Sequence, residues 1–225
     1  MDKPSIHVTH FSDVLCIWAY VSQVRIDELR SQFGAQVDVD CRLFPVFGSA
    51  LRKTDVQWAN KGGRQGYSEH VRQIAQQFNH VTVHPQIWIR NAPYSSLPAH
   101  LFLYAIRVAE AKGALPARSF ERMAWKVREA FFAQSQNVSE RAVLQALASD
   151  GGLDISEIER GLQSGEAHAL MSEDMQAAHD QAVRSSPTLI FNEDRQRITG
   201  NVGYRIIEAN IRELLERPQG QQSWC

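Results

Sequence analysis

Cysteine is scarce in this chain. Three are present among 225 residues, Cys16, Cys41 and Cys225, odd in number and far apart. No disulfide framework is implied, and no Cys/His spacing suited to a metal ion occurs. Excess charge of one sign is lacking too. The 24 Lys and Arg nearly balance 25 Asp and Glu, leaving a net charge of −1. The basic residues are scattered, so nucleic acid is not expected as a partner. No apolar run approaches the roughly 20 residues that span a bilayer, and no membrane partner is expected. Residues 1–5 lead straight into a strand pattern, without the apolar core of a secretory leader. A cytoplasmic protein is therefore expected. The one glycine-rich stretch, Lys61-Gly62-Gly63-Arg64-Gln65-Gly66, has the wrong spacing for a phosphate loop and no strand before it; it reads as a flexible loop. The histidines are dispersed, His168 and His179 lying about three turns apart on one helix face, too far to share a metal.

What is present is an ordinary globular composition, 44% hydrophobic and 22% charged, in a chain long enough to bury a core. Residues 6–11 alternate apolar and polar as a strand does. Residues 17–33 carry Val21, Val24, Ile26, Leu29 and Phe33 at helical spacing, stopped by Gly34. Residues 37–44 alternate again, with Val37, Val39 and Cys41 on the inward face, so Cys41 reads as core. A right-handed crossover would make this β-α-β unit parallel.

Between Phe47 and Arg184 the pattern is almost wholly helical. Short or full helices are expected over residues 55–60, 68–78, 97–112, 119–132, 139–148 and 165–183, with residues 80–90 extended. Ser96 is a candidate cap for the third of these. Asp154 with Glu157 reads as a capping box opening a further helix. The strand pattern then returns at Thr188-Leu189-Ile190-Phe191, turns at Asn192-Glu193-Asp194 and pairs with Arg197-Ile198-Thr199 as a hairpin. A terminal helix over 203–217 places Tyr204, Ile207, Ile211, Leu214 and Leu215 inward and stops at Pro218. The order is β-α-β, a long helical block, then β-β-α. The expected organisation is an α/β domain over 1–46 and 185–217, an inserted helical domain over 47–184, and a flexible tail over 218–225.

Cys16 falls where the first strand hands over to the first helix. Free backbone N–H groups and the positive end of the helix dipole point there, which pulls a thiol towards thiolate, the attacking form. A small buried residue under the helix is the alternative reading. Asp13 is placed to cap the first turn, turned away from the thiol. Trp18 either shields the thiol or packs on the helical domain, and Tyr20 is either core or site.

Asp13-x-x-Cys16-x-Trp18-x-Tyr20, with Ser186-Pro187-Thr188-Leu189-Ile190-Phe191-Asn192 followed by Ile198-Thr199-Gly200, resembles the two signatures of DsbA-like oxidoreductases, most closely the FrnE-like branch. Asn91 to His100 and Gly151-Gly152-Leu153-Asp154 resemble landmarks of that branch's helical insertion. The resemblance spans nearly the whole chain. It implies a thioredoxin-like fold with an inserted all-helical domain, Cys16 as nucleophile, and Ser186 and a cis Pro187 beside it, offering backbone to a peptide or to glutathione. Ser186, Pro187, Trp18 and Asp13 are the implied binding residues, with no metal and no resident cofactor.

The chain departs from the family at the second cysteine. The family's paired cysteines become Cys16-Ile17-Trp18-Ala19, and Ala19 cannot resolve a mixed disulfide. The expectation is a monothiol thiol–disulfide oxidoreductase with glutathione as co-substrate. The same superfamily includes 2-hydroxychromene-2-carboxylate isomerases and kappa-class glutathione transferases, so a glutathione-dependent isomerase or transferase of small hydrophobic electrophiles is the second expectation. A non-catalytic peptide-binding module is the third. A tail resolving thiol at Cys225 and a homodimer stay open.

Overall fold

A computed structural model of the chain describes residues 6–217; Cys225, Pro218 and the expected tail lie outside the described residues, as do residues 1–5. The first strand, β1 (Ile6–Ser12), runs into helix α1 (Ile17–Phe33), and a short 3-10 turn returns the chain to β2 (Val37–Leu43). The strands β3 (Thr188–Phe191) and β4 (Gln196–Thr199) arrive much later and are followed by the terminal helix α8 (Tyr204–Glu216). Together they form one sheet in the order β2-β1-β3-β4. β1 and β2 are parallel, with Ile6 opposite Val37 and Ser12 opposite Leu43. β3 runs antiparallel to β1, and β4 antiparallel to β3. This is the DsbA-like thioredoxin arrangement that the motifs imply.

The period of two in each strand sorts the side chains. Ile6, Val8, Val37, Val39, Leu189 and Phe191 face the Ile26, Leu29 and Phe33 stripe of α1 and the Ile207, Ile211 and Leu214 stripe of α8. Phe11 and Ile190 face the opposite side and meet Ala178 and Val183. Both faces are therefore covered, which is what parallel pairing requires.

Between the two halves of the sheet lie α2 (Gly63–Ala75), α3 (Leu97–Ala111), α4 (Ser119–Phe132), α5 (Arg141–Asp150), α6 (Ile155–Gln163) and α7 (Glu166–Asp180). Their core is continuous with the start of α1: Ile17, Ala19, Tyr20 and Val21 share one buried cluster with Phe47, Trp88, Phe102, Phe131 and Phe132. α3 is the axis of this layer, with Ala99, Phe102, Leu103, Tyr104, Ala105 and Ile106 all buried. Each large side chain so buried stabilises by about 1.5–3 kcal/mol. Tyr20 is core, its ring stacked on Trp125 and Phe132 at 5.1 and 4.8 Å.

Three segments differ from the periodicity reading. Residues 81–84 pair in no strand and residues 85–89 are turn, because long-range bonds decide the path: His84 N–H donates to Phe132 O and the His80 ring to Val21 O. The short helix over 55–60 is replaced by a π-type turn, Arg52–Val56, and a 3-10 turn, Ala59–Lys61. The glycine-rich stretch is not a free loop. Its second half opens α2, and Gly66 sits so close to Lys61 O that an added Cβ would lie 1.8 Å away. At Asp154 the cap forms with Ser156 N–H, at 2.8 Å, while Glu157 turns to Arg160 instead. α2 starts five residues before the expected 68 and ends three before 78, α7 ends three before 183, and the other expected helices shift by two residues or fewer.

Candidate active site

Cys16 is the N-cap residue of α1, extended at φ −85° and ψ 117°, with no side-chain bond to the first turn. Its backbone N–H donates to Asp13 O at 3.1 Å, closing the turn between β1 and α1. Its thiol donates to Ser186 O at 3.1 Å. The Ser186–Pro187 peptide bond is cis. The structure therefore brings Cys16, Ser186 and Pro187 together across 170 positions of sequence.

The thiol is 6% exposed. Burial pushes its pKa up, and the nearby Asp13 charge adds to that, while the Ser186 side chain and the N–H groups of Ala19 and Trp18 pull the other way. The net direction is upward. The helix-start effect expected from sequence is present, but desolvation outweighs it. Burial thus favours the neutral thiol at Cys16.

Asp13 is wholly buried and works as a fastening. One carboxylate oxygen accepts from Leu15 N–H at 2.9 Å, in the turn that carries Cys16. The other accepts from Phe47 N–H at 2.8 Å and the Ser96 hydroxyl at 2.9 Å. The His100 ring lies 3.5 Å away, and Asp13 N–H donates to the Ser186 hydroxyl at 2.9 Å. Asp13 thus ties the Cys16 turn to the helical layer and to the Ser186–Pro187 corner. Ser96 is the N-cap residue of α3, but its hydroxyl serves Asp13 and not its own helix.

Trp18 is half-buried and packs against the cluster that contains Cys16. Tyr67, from α2, is buried and near enough that a charge on Cys16 or Asp13 would raise its hydroxyl further. Tyr67, Ser96 and His100 join the site from the helical layer. The sequence marks Ser96 as a helix cap and Asn91 to His100 as a landmark of the insertion, not as partners of Asp13, and carries no signal for Tyr67. Cys41 lies opposite His10 in the sheet register and is half-buried. No group of three or more metal-ligating side chains occurs among the described residues, and no helix there is long and apolar enough to cross a membrane.

A model of the DSBA-like thioredoxin domain matches residues 7–212. The chain belongs to that family. Among curated proteins, the ClpXP adapter protein SpxH of Shouchella clausii is similar, at 23% identity over 95% of this chain and 68% of its own length. Among solved structures, a putative protein disulfide isomerase from Nitrosomonas europaea superposes with a TM-score of 0.75 at 16% identity, covering 96% of this chain and 100% of that one. The cytosolic disulfide reductase DsbM of Pseudomonas aeruginosa, in a structure with GSH, gives 0.64 at 17% identity over 92% and 99%. A 2-hydroxychromene-2-carboxylate isomerase gives 0.63 at 17% over 94% and 97%. This DSBA-like chain shares the fold of all three.

Proposed function

We propose that the protein is a cytosolic, glutathione-linked thiol–disulfide oxidoreductase that works with one thiol. The observation that carries this reading is Cys16 at the N-cap of α1, 3.1 Å from the Ser186 carbonyl, with Ala19 where a resolving cysteine would stand. The similar fold of DsbM, named a cytosolic disulfide reductase and solved with GSH, supports both the compartment and the co-substrate.

In the proposed cycle Cys16 sulfur attacks a disulfide R–S–S–R′. A new S–S bond forms to R–S, and R′–S leaves with the electron pair and takes up the Cys16 proton. Glutathione thiolate then attacks the Cys16–S–R bond, releasing Cys16 and the mixed disulfide of R and glutathione. Overall, glutathione thiol and R–S–S–R′ become R–S–S–glutathione and R′–SH, so glutathione sulfur is oxidised as R′ sulfur is reduced, and the protein returns unchanged. Ser186 and Pro187 offer backbone beside the sulfur, and Asp13 holds the turn.

A second reading follows from the burial and upward-shifted pKa of Cys16. A neutral S–H is a donor that orients glutathione, as suits an isomerase or transferase of small electrophiles. The SpxH relatives, named as adapter proteins, fit a third, non-catalytic role in binding peptide.

The deciding experiment is intact mass after incubation with oxidised glutathione, beside Cys16→Ser. One glutathione adduct, absent from Cys16→Ser and released by reduced glutathione, is expected. An unmodified thiol that nonetheless binds reduced glutathione in calorimetry would transfer the protein to the second reading. Neither adduct nor binding would leave the adapter-like role.

A further inference from the structure

Arg128, on α4, is buried to 4% exposure beneath the first turns of α1. Its two terminal nitrogens donate to neutral acceptors, Ser12 Oγ at 2.9 Å and Gln23 Oε1 at 3.0 Å. Its Nε has no partner among the described residues. No carboxylate there forms an ion pair with it; Asp13 and Asp27 act on it only from a distance. A guanidinium in that position is a charge out of water with nothing beside it to balance it, which proteins seldom tolerate.

Arg128 lines a cavity of about 20 Å³ together with His10, Ser12, Gln23, Arg30, Cys41 and Glu121, among others. Every other group on that wall fails to supply the missing negative charge. Glu121 is committed to Arg30 and Arg118. His10 is 2% exposed, and burial with the Arg128 and Arg30 charges lowers its pKa to about 3, so it is a neutral ring. Cys41 is a neutral thiol, its pKa raised by burial against the pull of Arg30 and Arg128. The His10 Nδ1 lies 3.9 Å from the Cys41 sulfur. His10 Nε2, like Arg128 Nε, is buried without a partner. Two orphaned nitrogens and one unbalanced cation thus belong to side chains around the same small space.

We propose that this cavity binds one small monovalent anion, a halide such as chloride, held by Arg128 with His10, Cys41 and Ser12 around it. The volume suits a single water-sized species, and a halide is the anion nearest that size. The way in is a larger groove of about 370 Å³ between α1 and α4, which shares Gln23, Arg30 and Glu121 with the cavity. The Arg30–Glu121 pair stands on the wall that the groove and the cavity share. This site is separate from the Cys16 thiol and does not depend on the proposed redox cycle.

The test uses the full chain. Crystals grown without halide and soaked in sodium bromide are measured at the bromine edge. Melting temperature is followed against sodium chloride or bromide, at ionic strength held constant with sodium methanesulfonate, a much bulkier anion. An anomalous peak between Arg128 and Cys41 is expected. So is a melting temperature that rises and saturates, by about 3–5 °C once halide exceeds its dissociation constant tenfold. Arg128→Met removes the cation. Cys41→Asp leaves the cation but supplies an internal carboxylate. Both variants should lose the peak and the halide response. Cavity density with no bromine signal, meaning water only, would overturn the proposal. A halide response unchanged in Cys41→Asp would overturn it equally.

Discussion

Asp13 and Ser96 meet across the boundary between the sheet and the helical layer, the Ser96 hydroxyl donating to the Asp13 carboxylate at 2.9 Å inside the protein. With Phe47 N–H on the same oxygen, this is where the Cys16 turn is secured. Replacing Asp13 by Ala would orphan Leu15 N–H, Phe47 N–H and the Ser96 hydroxyl at once. A loss of about 3 kcal/mol in urea unfolding is expected. Ser96→Ala should cost about 1 kcal/mol. Equal, small effects from both would show that the carboxylate is not the common anchor.

Tyr104 carries a second junction. Its hydroxyl donates to Asp174 at 2.6 Å and accepts from Leu43 N–H at 3.0 Å, linking α3, α7 and the end of β2. Tyr104→Phe keeps the ring, leaves Leu43 N–H without its partner and leaves Asp174 to Arg42 and Arg107 alone. Denaturant unfolding should register about 2 kcal/mol, with little change in the slope that reports exposed area.

His10 makes stability depend on acid. Its pKa is depressed to about 3 in the folded chain, against about 6.5 when unfolded. The unfolded state therefore binds the extra proton between these values. The contribution is present in full above pH 6.5 and is lost as pH falls towards 3. Between pH 7 and pH 5 this one group should remove about 2 kcal/mol. His10→Gln should flatten the pH dependence of stability by that amount, measured by urea unfolding at both values.

Cys16 should alkylate slowly at neutral pH. Burial and the Asp13 charge hold its pKa above the ordinary thiol range. Iodoacetamide labelling, with Cys16→Ser to identify the site by mass, should quicken about tenfold per pH unit up to that raised pKa. A plateau already reached below pH 7 would mean that the helix start prevails over burial.

The strands, α1 and α4 were legible because each carries an unbroken period: two in Val37, Val39 and Cys41, nearly four in Phe120, Met123, Val127 and Phe131. Cys16, Ser186 and Pro187 were legible because their motifs are local. Residues 80–90 were not, because Val81 and Val83 alternate like a strand while the turn there is set by Phe132 and Val21, far along the chain. Gly63 and Gly66 suggested a loop, yet α2 starts on them where Gly66 presses against Lys61 O. The partners of Asp13 were hidden for the same reason as the turns: Ser96 lies 83 positions away. The direction of the Cys16 pKa was hidden too. A local motif carries the helix dipole, but the desolvation that outweighs it comes from the tertiary core in which Cys16, Phe47 and Tyr67 are packed together.

The pairing of β1 with β3 sets Val8 against Phe191. The two middle strands thus come from opposite ends of the described chain, with the helices from α2 to α7 between them. During synthesis the β1-β2 edge is made early and must wait, one flank unpaired, until residue 191 has been added. Closing so wide a gap is entropically expensive for a loose chain and slow by the usual relation between rate and sequence separation. A helical layer that collapses first shortens the gap, because it turns a long coil into a compact spacer. The helices between the strands are in that sense also an assembly jig: they span the gap in sequence and bring the Ser186–Pro187 corner up to Cys16.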